Sequence, residues 1–235
     1  LMHDDIMDEA PIRRGKPTVH EKWNTNVAIL SGDVLFVKSY QLIVKAESRF
    51  LHKILALFNK TAIEVCEGQQ LDMNFETQVD VSMSSYLKMI RFKTAVLLAC
   101  SLKIGALVAD ASDEDQENLY HFGIHIGIAF QLMDDILDVY GDKKDFGKQV
   151  AGDILCNKKT CLYLTAHDKA NKDQRKILDY YFSHQDFEPN KKVLEVKKVY
   201  DAIGVRTLCL EMMSENHALA LGYLNAVGVS KERKS

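Results

Sequence analysis

The stretch that decides the fold is residues 117–141, ENLYHFGIHIGIAFQLMDDILDVYG. The apolar run GIAFQLM leads directly into an acidic run, which predicts a long helix that is at least half buried. Ser112 precedes it and Asp115 follows three residues later, the spacing of a capping box at a helix N-terminus. The helix therefore carries three aspartates near its end: Asp134, Asp135 and Asp138.

The segments on both sides of this helix also have helical patterns. The chain contains only three prolines, so long helices are rarely interrupted. Residues 26–46 and 50–71 repeat apolar side chains at helical spacing, and residues 80–109 form a capped helix that is apolar on nearly all sides, which suggests a central position. Shorter helices are expected near 158–170, 172–183, 190–203 and 205–227. No segment alternates like a strand, so the predicted fold is all-α, a single bundle of long helices.

Composition excludes several classes of function. Of the 235 residues, 47% are hydrophobic and 27% charged, as in a soluble globular protein. The net charge of −3 gives no basic surface for nucleic acid, and no uncharged apolar run is long enough for a membrane span. The five cysteines are odd in number and lack a C-x-x-C pair. We therefore expect buried, inert thiols and a reducing cytoplasmic location.

A second acidic run near the start of the chain repeats the first. Residues 4–8 read DDIMD and residues 134–138 read DDILD, with Asp4, Asp5 and Asp8 in the earlier copy. On a helix, positions i and i+4 share a face, so each run crowds carboxylates that repel one another. Mg²⁺ relieves such repulsion and takes carboxylate and phosphate oxygens as ligands. One run alone would be a solvated helix face, but two copies in apolar surroundings predict helices that hold several Mg²⁺ ions and a diphosphate.

The cationic residues are consistent with a diphosphate ligand. Arg13 and Arg14 follow the first run in a loop punctuated by Pro11, Gly15 and Pro17, and a guanidinium matches phosphate oxygens. A lysine is costly inside an apolar helix unless it is paired. Each cation alone would be a surface charge, but together they form a set of phosphate partners that also includes Lys93 beside Thr94, Lys148 and Lys158.

With these motifs, the chain resembles the trans-isoprenyl diphosphate synthases along almost its whole length. The matching segments are DDIMD, RRGKPTVH, AILSGD, MIRFKTAVLLA, GIAFQLMDDILDVYGD, FGKQVAGDI and NKKT. The resemblance implies one helical prenyl synthase domain over residues 1–235, with mostly antiparallel helices around a central cavity. It also implies a homodimer and two substrates, isopentenyl diphosphate and an allylic diphosphate.

The resemblance also implies a role for each motif residue. Asp4 and Asp8 match metal ligands with Asp5 in support, and Asp134 matches a principal ligand completed by Asp135 and Asp138. The positions matching the allylic diphosphate site are Arg13, Lys93, Thr94, Gln131, Lys148 and Lys158, while Arg14 matches a contact to isopentenyl diphosphate. The residues expected to matter most for turnover are Asp4, Asp8, Lys93, Asp134 and Lys148.

The implied chemistry fits these residues. Three Mg²⁺ ions and the cations would stabilise charge on the departing diphosphate. The double bond of isopentenyl diphosphate would then attack the allylic carbocation, and a proton would be lost. Phe130 either lines the reacting hydrocarbon or is a core aromatic residue.

The beginning of the chain leaves alternatives open. LMHDD already looks like the interior of a helix, so we expect the N-terminus to lie upstream, with further helices that include a G-K-x-x-R segment. The residues that set product length in the family would lie there too. Two other functions are compatible with the motifs: a regulatory subunit of a heteromeric synthase and a class I terpene cyclase.

Overall fold

The computed structural model describes residues 1–141, 151–183, 187–230 and 233. Almost all of their regular structure is helical, which confirms the all-α prediction. The helices are α1 (Met2–Met7), α2 (Val19–Lys22), α3 (Thr25–Ile43), α4 (Ser48–Thr77), α5 (Met83–Ile90), α6 (Val96–Val108), α7 (Asp113–Tyr140), α8 (Gly152–Leu155), α9 (Cys161–Lys169), α10 (Lys172–Ser183), α11 (Pro189–Ile203) and α12 (Val205–Ala226). A π-helical turn, Arg91–Ala95, joins α5 to α6, and two short strands, β1 (Ile12–Arg13) and β2 (Lys16–Pro17), form a hairpin.

Contacts within the chain divide it into two compact units, Leu1–Phe58 and Asn59–Ser235. The boundary falls within α4. The single domain expected from the sequence therefore stays a prediction.

In the first unit, α1 packs on α3 through His3. A Cβ atom at Gly32 would lie 2.4 Å from His3 Nε2, so the glycine leaves room for the His3 ring in this position. The same Nε2 atom lies 3.0 Å from the Ile29 carbonyl oxygen. The N-terminus of α3 is capped by Asn24, whose side chain accepts a hydrogen bond from the Val27 amide at 2.9 Å. The packing fixes α1, and with it the first acidic run, on a capped helix.

In the second unit, α7 is the central helix and packs against α6 and α12. Two glycines one turn apart let α6 approach closely. A Cβ atom at Gly123 would lie 2.5 Å from Ala99 Cα, and one at Gly127 would lie 2.6 Å from Ala95 Cα. The predicted Ser112 cap is confirmed, since its hydroxyl accepts from the Asp115 amide at 3.1 Å. This register sets the neighbours of the second acidic run.

The π turn changes the sequence spacing of the residues that face the core. Tyr86 and Ile90 are buried at the α-helical spacing of four residues, whereas the next buried residues are Ala95 and Val96, followed by Ala99 and Cys100. A step of five between Ile90 and Ala95 is one residue longer than an α-helical step. As a result Leu97 remains half exposed, so the predicted central position of residues 80–109 holds for one side only.

The cysteines are all free thiols. Cys100, Cys161 and Cys209 are buried, as predicted, but Cys66 and Cys156 are exposed, so the prediction of buried thiols is wrong for these two. Among the described residues, no helix combines the length and apolar character needed to cross a membrane.

Candidate functional site

The first acidic run lies at the end of α1. Asp4 and Asp5 are inside the helix, and Asp8 is its C-cap, with its amide donating to the Asp4 carbonyl at 2.9 Å. Arg13 bridges the first two carboxylates: Nη2 lies 3.1 Å from Asp4 Oδ2, and Nε contacts Asp5 Oδ1. Asp5 is buried, while Asp8 is exposed. The arginine therefore supplies the positive charge that stabilises this carboxylate pair.

The two arginines are held by the β1–β2 hairpin. Arg13 pairs with Lys16 across the strands, and the turn between them consists of Arg14 and Gly15. Both turn residues have positive φ, +52° and +72°, as a two-residue type I′ turn requires. Gly15 adopts this conformation at no steric cost. The R-R-G-K sequence thus directs Arg13 to the acidic run and leaves Arg14 exposed at the tip.

The second acidic run divides its carboxylates between the core and the surface. Asp135 is only 4% exposed, and it accepts hydrogen bonds from the Tyr86 hydroxyl at 2.5 Å, the Cys161 amide at 3.3 Å and Gln131 Nε2 at 3.1 Å. Burial raises the pKa of Asp135 to about 6, although these hydrogen bonds oppose the rise. Asp134 and Asp138 are partly exposed. The structure therefore places Asp135 in the core, apart from its two neighbours.

A fourth aspartate joins this group from α8. The Asp153 amide donates to Asp138 Oδ2 at 3.1 Å, and the Ala151 amide donates to the Asp138 carbonyl at 2.7 Å. Burial raises the pKa of Asp153 to about 7, with further contributions from the charges of Asp138 and Asp135. Sequence reasoning missed Asp153, although its AGDI segment follows the second acidic run closely.

Lys93 has a carboxylate partner that the sequence did not identify. Its Nζ atom lies 2.6 Å from Asp72 Oδ2 on α4. A Cβ atom at Gly68 would lie 2.3 Å from the Lys93 nitrogen, so the glycine allows α4 and the π turn to approach this closely. Asp72 follows Gly68 by four residues and so lies on the same face of α4. The sequence signal for such a partner was Lys93 itself, because a charged side chain in an apolar helix needs an opposite charge nearby.

A chain of hydrogen bonds connects the π turn to the buried aspartate. Thr94 Oγ1 donates to Gln131 Oε1 at 3.2 Å, and Gln131 Nε2 donates to Asp135 Oδ1. The amide of Gln131 is therefore fixed in one orientation by a donor on one side and an acceptor on the other. Gln131 is one turn beyond Gly127, which packs on Ala95, so the close packing of the π turn on α7 brings Thr94 to Gln131.

Two adjacent lysines after α8 have different environments. The Lys158 amide donates to the Asp153 carbonyl at 2.9 Å, and its positive charge opposes the rise in the pKa of Asp153. Lys159 Nζ donates to the Phe75 carbonyl at 2.8 Å and to the Gln78 carbonyl, at the end of α4. Lys159 is thus a helix cap, whereas Lys158 adjoins the acidic group. Lys148 lies outside the described residues.

The donors present suit magnesium in chemical type. Carboxylate oxygens are its preferred protein ligands. Burial raises the pKa of Asp153, and repulsion from Asp138 and Asp135, which a divalent cation would relieve, adds to that rise. Within the parts of the chain that the structure describes, no three His, Cys, Asp or Glu side chains are grouped to hold a metal ion. Arg13 forms ion pairs with Asp4 and Asp5, and Asp135 is buried in the core.

Comparison with known proteins identifies the family. The family model described as polyprenyl synthetase matches residues 1–203. The chain belongs to the polyprenyl synthetase family. Geranylgeranyl diphosphate synthase of Sulfolobus acidocaldarius is 44% identical over 182 residues, which are 76% of this chain and 55% of that protein. A crystal structure of a geranylgeranyl pyrophosphate synthase matches with a TM-score of 0.94 and 41% identity, covering 99% of this chain and 72% of that one.

Another polyprenyl synthetase relative is named as one part of a larger enzyme. Heptaprenyl diphosphate synthase component 2 of Bacillus subtilis is 32% identical over 236 residues, covering 100% of this chain and 65% of that protein. The chain thus spans roughly half to two thirds of the curated relatives it matches. Family membership confirms the resemblance read from the acidic runs and their neighbours, and the structural match confirms the isoprenoid synthase fold.

Proposed function

We propose that the full-length protein is a chain-elongating trans-prenyltransferase that joins isopentenyl diphosphate to an allylic diphosphate. The observation that carries the proposal is the group of side chains around the end of α7. There Thr94 donates to Gln131 and the Asp153 amide donates to Asp138, while the charges of Lys158, Asp138 and Asp134 act on the Asp153 carboxyl. Cations and carboxylates side by side suit a ligand that is both phosphorylated and metal-bound.

The described residues have distinct roles in this proposal. Asp4, Asp8, Asp134 and Asp138 hold Mg²⁺, with Asp5 supporting the first run. Asp135 supports the second run from the core, because it fixes Gln131 rather than facing solvent. Lys93 and Lys158 bind the allylic diphosphate, together with Thr94, Gln131 and Arg13, and Lys148, which lies outside the described residues, is proposed to do the same. Arg14, exposed at the hairpin tip, binds isopentenyl diphosphate.

Chemistry at this site needs charge stabilisation and no protein nucleophile. When bound, three Mg²⁺ ions would neutralise the diphosphate and so favour its departure from the allylic carbon. The lysines add fixed positive charge where the leaving group gains negative charge. Phe130 is 63% exposed, so the core-aromatic interpretation is wrong, and we propose that it lines the path of the hydrocarbon.

The assembly and location are also proposals. Several apolar residues of α3 are more than half exposed, namely Leu30, Val34, Leu35 and Val37, and Phe36 is 48% exposed. A second copy of the chain would bury this surface, which supports the predicted homodimer. The odd, unpaired cysteines support a cytoplasmic location.

One assay tests the activity against its alternative. The relative named as a component of heptaprenyl diphosphate synthase favours a second candidate, a subunit that is active only with a partner. Purified full-length protein should be incubated with Mg²⁺, radiolabelled isopentenyl diphosphate and allylic primers of increasing length. Longer prenyl diphosphates are expected. Hydrocarbon products would indicate a terpene cyclase, and no product would contradict the proposal and favour the subunit.

A further inference from the structure

Lys192 is a buried lysine outside the predicted site. It lies on α11 and is 4% exposed, in the same apolar stripe as Val196 and Tyr200. Its Nζ atom donates to Asn157 Oδ1 at 2.5 Å and to the Leu155 carbonyl at 3.3 Å. The Phe182 ring centroid lies 5.6 Å from the same atom. Among the described residues, no carboxylate lies within ion-pairing distance of Lys192.

A buried ammonium group with neutral partners is costly to keep. Burial lowers the pKa of Lys192, which is the expected response to loss of water around a charge. A methionine or leucine would fill this part of the stripe without that cost. The presence of a lysine at this position is therefore better explained by its hydrogen bonds to Asn157 and Leu155 than by its packing.

Both acceptors of Lys192 belong to the segment that carries the proposed diphosphate ligands. Residues 152–158 contain Asp153 at the beginning and Lys158 at the end, closed by the hydrogen bond from the Lys158 amide to the Asp153 carbonyl. Asp138 holds one side of the segment through the Asp153 amide. Lys192 holds the other side, at the end of α8 and at Asn157, whose φ of +56° is left-handed.

We propose that Lys192 is a positioning residue, which holds residues 152–158 so that Asp153 and Lys158 meet the allylic diphosphate and its Mg²⁺. This inference rests on the proposed function. Lys192 does not itself contact the substrate. Its effect is transmitted through the Leu155 carbonyl and the Asn157 side-chain amide. It should therefore affect binding of the allylic diphosphate and not binding of isopentenyl diphosphate.

The test compares Lys192→Met with Lys198→Met in the full-length protein. Lys198 is on the same helix but is exposed and pairs with Glu195 at 2.7 Å, which makes it a matched control. Lys192→Met should raise the KM for the allylic diphosphate about tenfold, because a hydrogen bond to a charged group is lost, and leave the KM for isopentenyl diphosphate unchanged. Lys198→Met should match the wild type in both constants.

Two readouts do not depend on turnover. Amide hydrogen exchange of the peptide covering residues 151–160 should become faster in ligand-free Lys192→Met. The rise in melting temperature on adding Mg²⁺ with inorganic pyrophosphate should shrink. Asn157→Gly provides a second variant, because it removes the Oδ1 acceptor and keeps a residue that tolerates positive φ; it should act in the same direction.

The outcomes separate this inference from the proposed function. The inference would be overturned if Lys192→Met and Asn157→Gly left both the KM for the allylic diphosphate and the pyrophosphate response unchanged. It would also be overturned if the KM values of both substrates changed equally, because that result indicates general destabilisation. A wild-type protein that condenses nothing would contradict the proposed function. In that case, a smaller pyrophosphate response in Lys192→Met than in the wild type and in Lys198→Met would still support the role of Lys192. A response equal to that of the wild type would overturn it.

Discussion

Lys93 Nζ lies 2.6 Å from Asp72 Oδ2, so the lysine that interrupts an apolar helix is balanced by a carboxylate on α4. Gly68 makes this pair possible, because any side chain there would collide with the Lys93 backbone. The ion pair aligns the ammonium group before any ligand arrives. Asp72 is thus the residue that fixes the direction of a proposed diphosphate contact.

Asp72→Asn should lower kcat/KM for the allylic substrate about tenfold, because Lys93 loses its charged partner and its fixed orientation. Stability should change by less than about 1 kcal/mol, since both side chains are partly exposed. Steady-state kinetics and urea unfolding would measure the two effects. Lys88→Met, an exposed lysine on α5, is the control. Wild-type kinetics in Asp72→Asn would exclude this role.

Asp4→Ala and Asp134→Ala should each abolish turnover and leave the helical fold intact. Removing one carboxylate from an acidic run relieves repulsion in the metal-free protein. Circular dichroism and the product assay at saturating Mg²⁺ would test this. If either variant unfolds, the aspartate has a structural role, and if either retains near-normal activity, it is not a metal ligand.

Mg²⁺ and a diphosphate should stabilise the protein together far more than separately. Each supplies only part of the coordination shell, so their joint binding should add about 2.7 kcal/mol at a hundredfold excess over the dissociation constant. Melting curves with Mg²⁺, with pyrophosphate and with both would show the difference. An equal shift from pyrophosphate alone would argue against a metal-bridged site.

The pKa of Asp153 predicts a pH-dependent effect on stability. Folding raises this pKa from 3.8 to about 7, so the folded protein keeps a proton that the unfolded chain releases. The stability contributed by Asp153 is therefore full below its unfolded pKa and is lost as the pH rises through about 7. Asp153→Asn, which stays neutral, should melt at a higher temperature than the wild type in EDTA at alkaline pH. That advantage should shrink as the pH falls; a constant difference would mean that the charge is not responsible.

Two cations should act on different substrates. Arg14→Lys keeps the charge but loses the planar pair of donors, so it should mainly raise the KM for isopentenyl diphosphate. Lys158→Ala should weaken allylic binding and slow ionisation, because negative charge develops on that diphosphate. Varying each substrate in turn would measure this split. If both variants shift the constant of one substrate alone, the two binding sites need to be reassigned.

The sequence predicted the helices and the motif chemistry because both depend on local spacing. The i, i+4 aspartates, the loop that holds Arg13 and Arg14, and the Ser112 cap are all read from neighbours in the chain. The partners of these residues were missed, because they come from distant segments. Asp72 is 21 residues from Lys93, and Tyr86 is 49 residues from Asp135. Only the fold shows that Asp135 faces the core while Asp134 and Asp138 do not.

The π turn at Arg91–Ala95 has a consequence for comparing this chain with others. A π turn contains one residue more than the α turn it replaces, so it has the form of a single-residue insertion. A relative without it would need a one-residue gap between the equivalents of Ile90 and Ala95. Deleting one residue there should shorten the step from Ile90 to Ala95 from five residues to four, the α-helical step, and so keep both positions on the buried side. Ala99 would then stay against Gly123, whereas an α turn formed without the deletion would rotate everything from Val96 onward by about 100°, the angle per residue of an α-helix, and the helix pair that supports the site would lose its register.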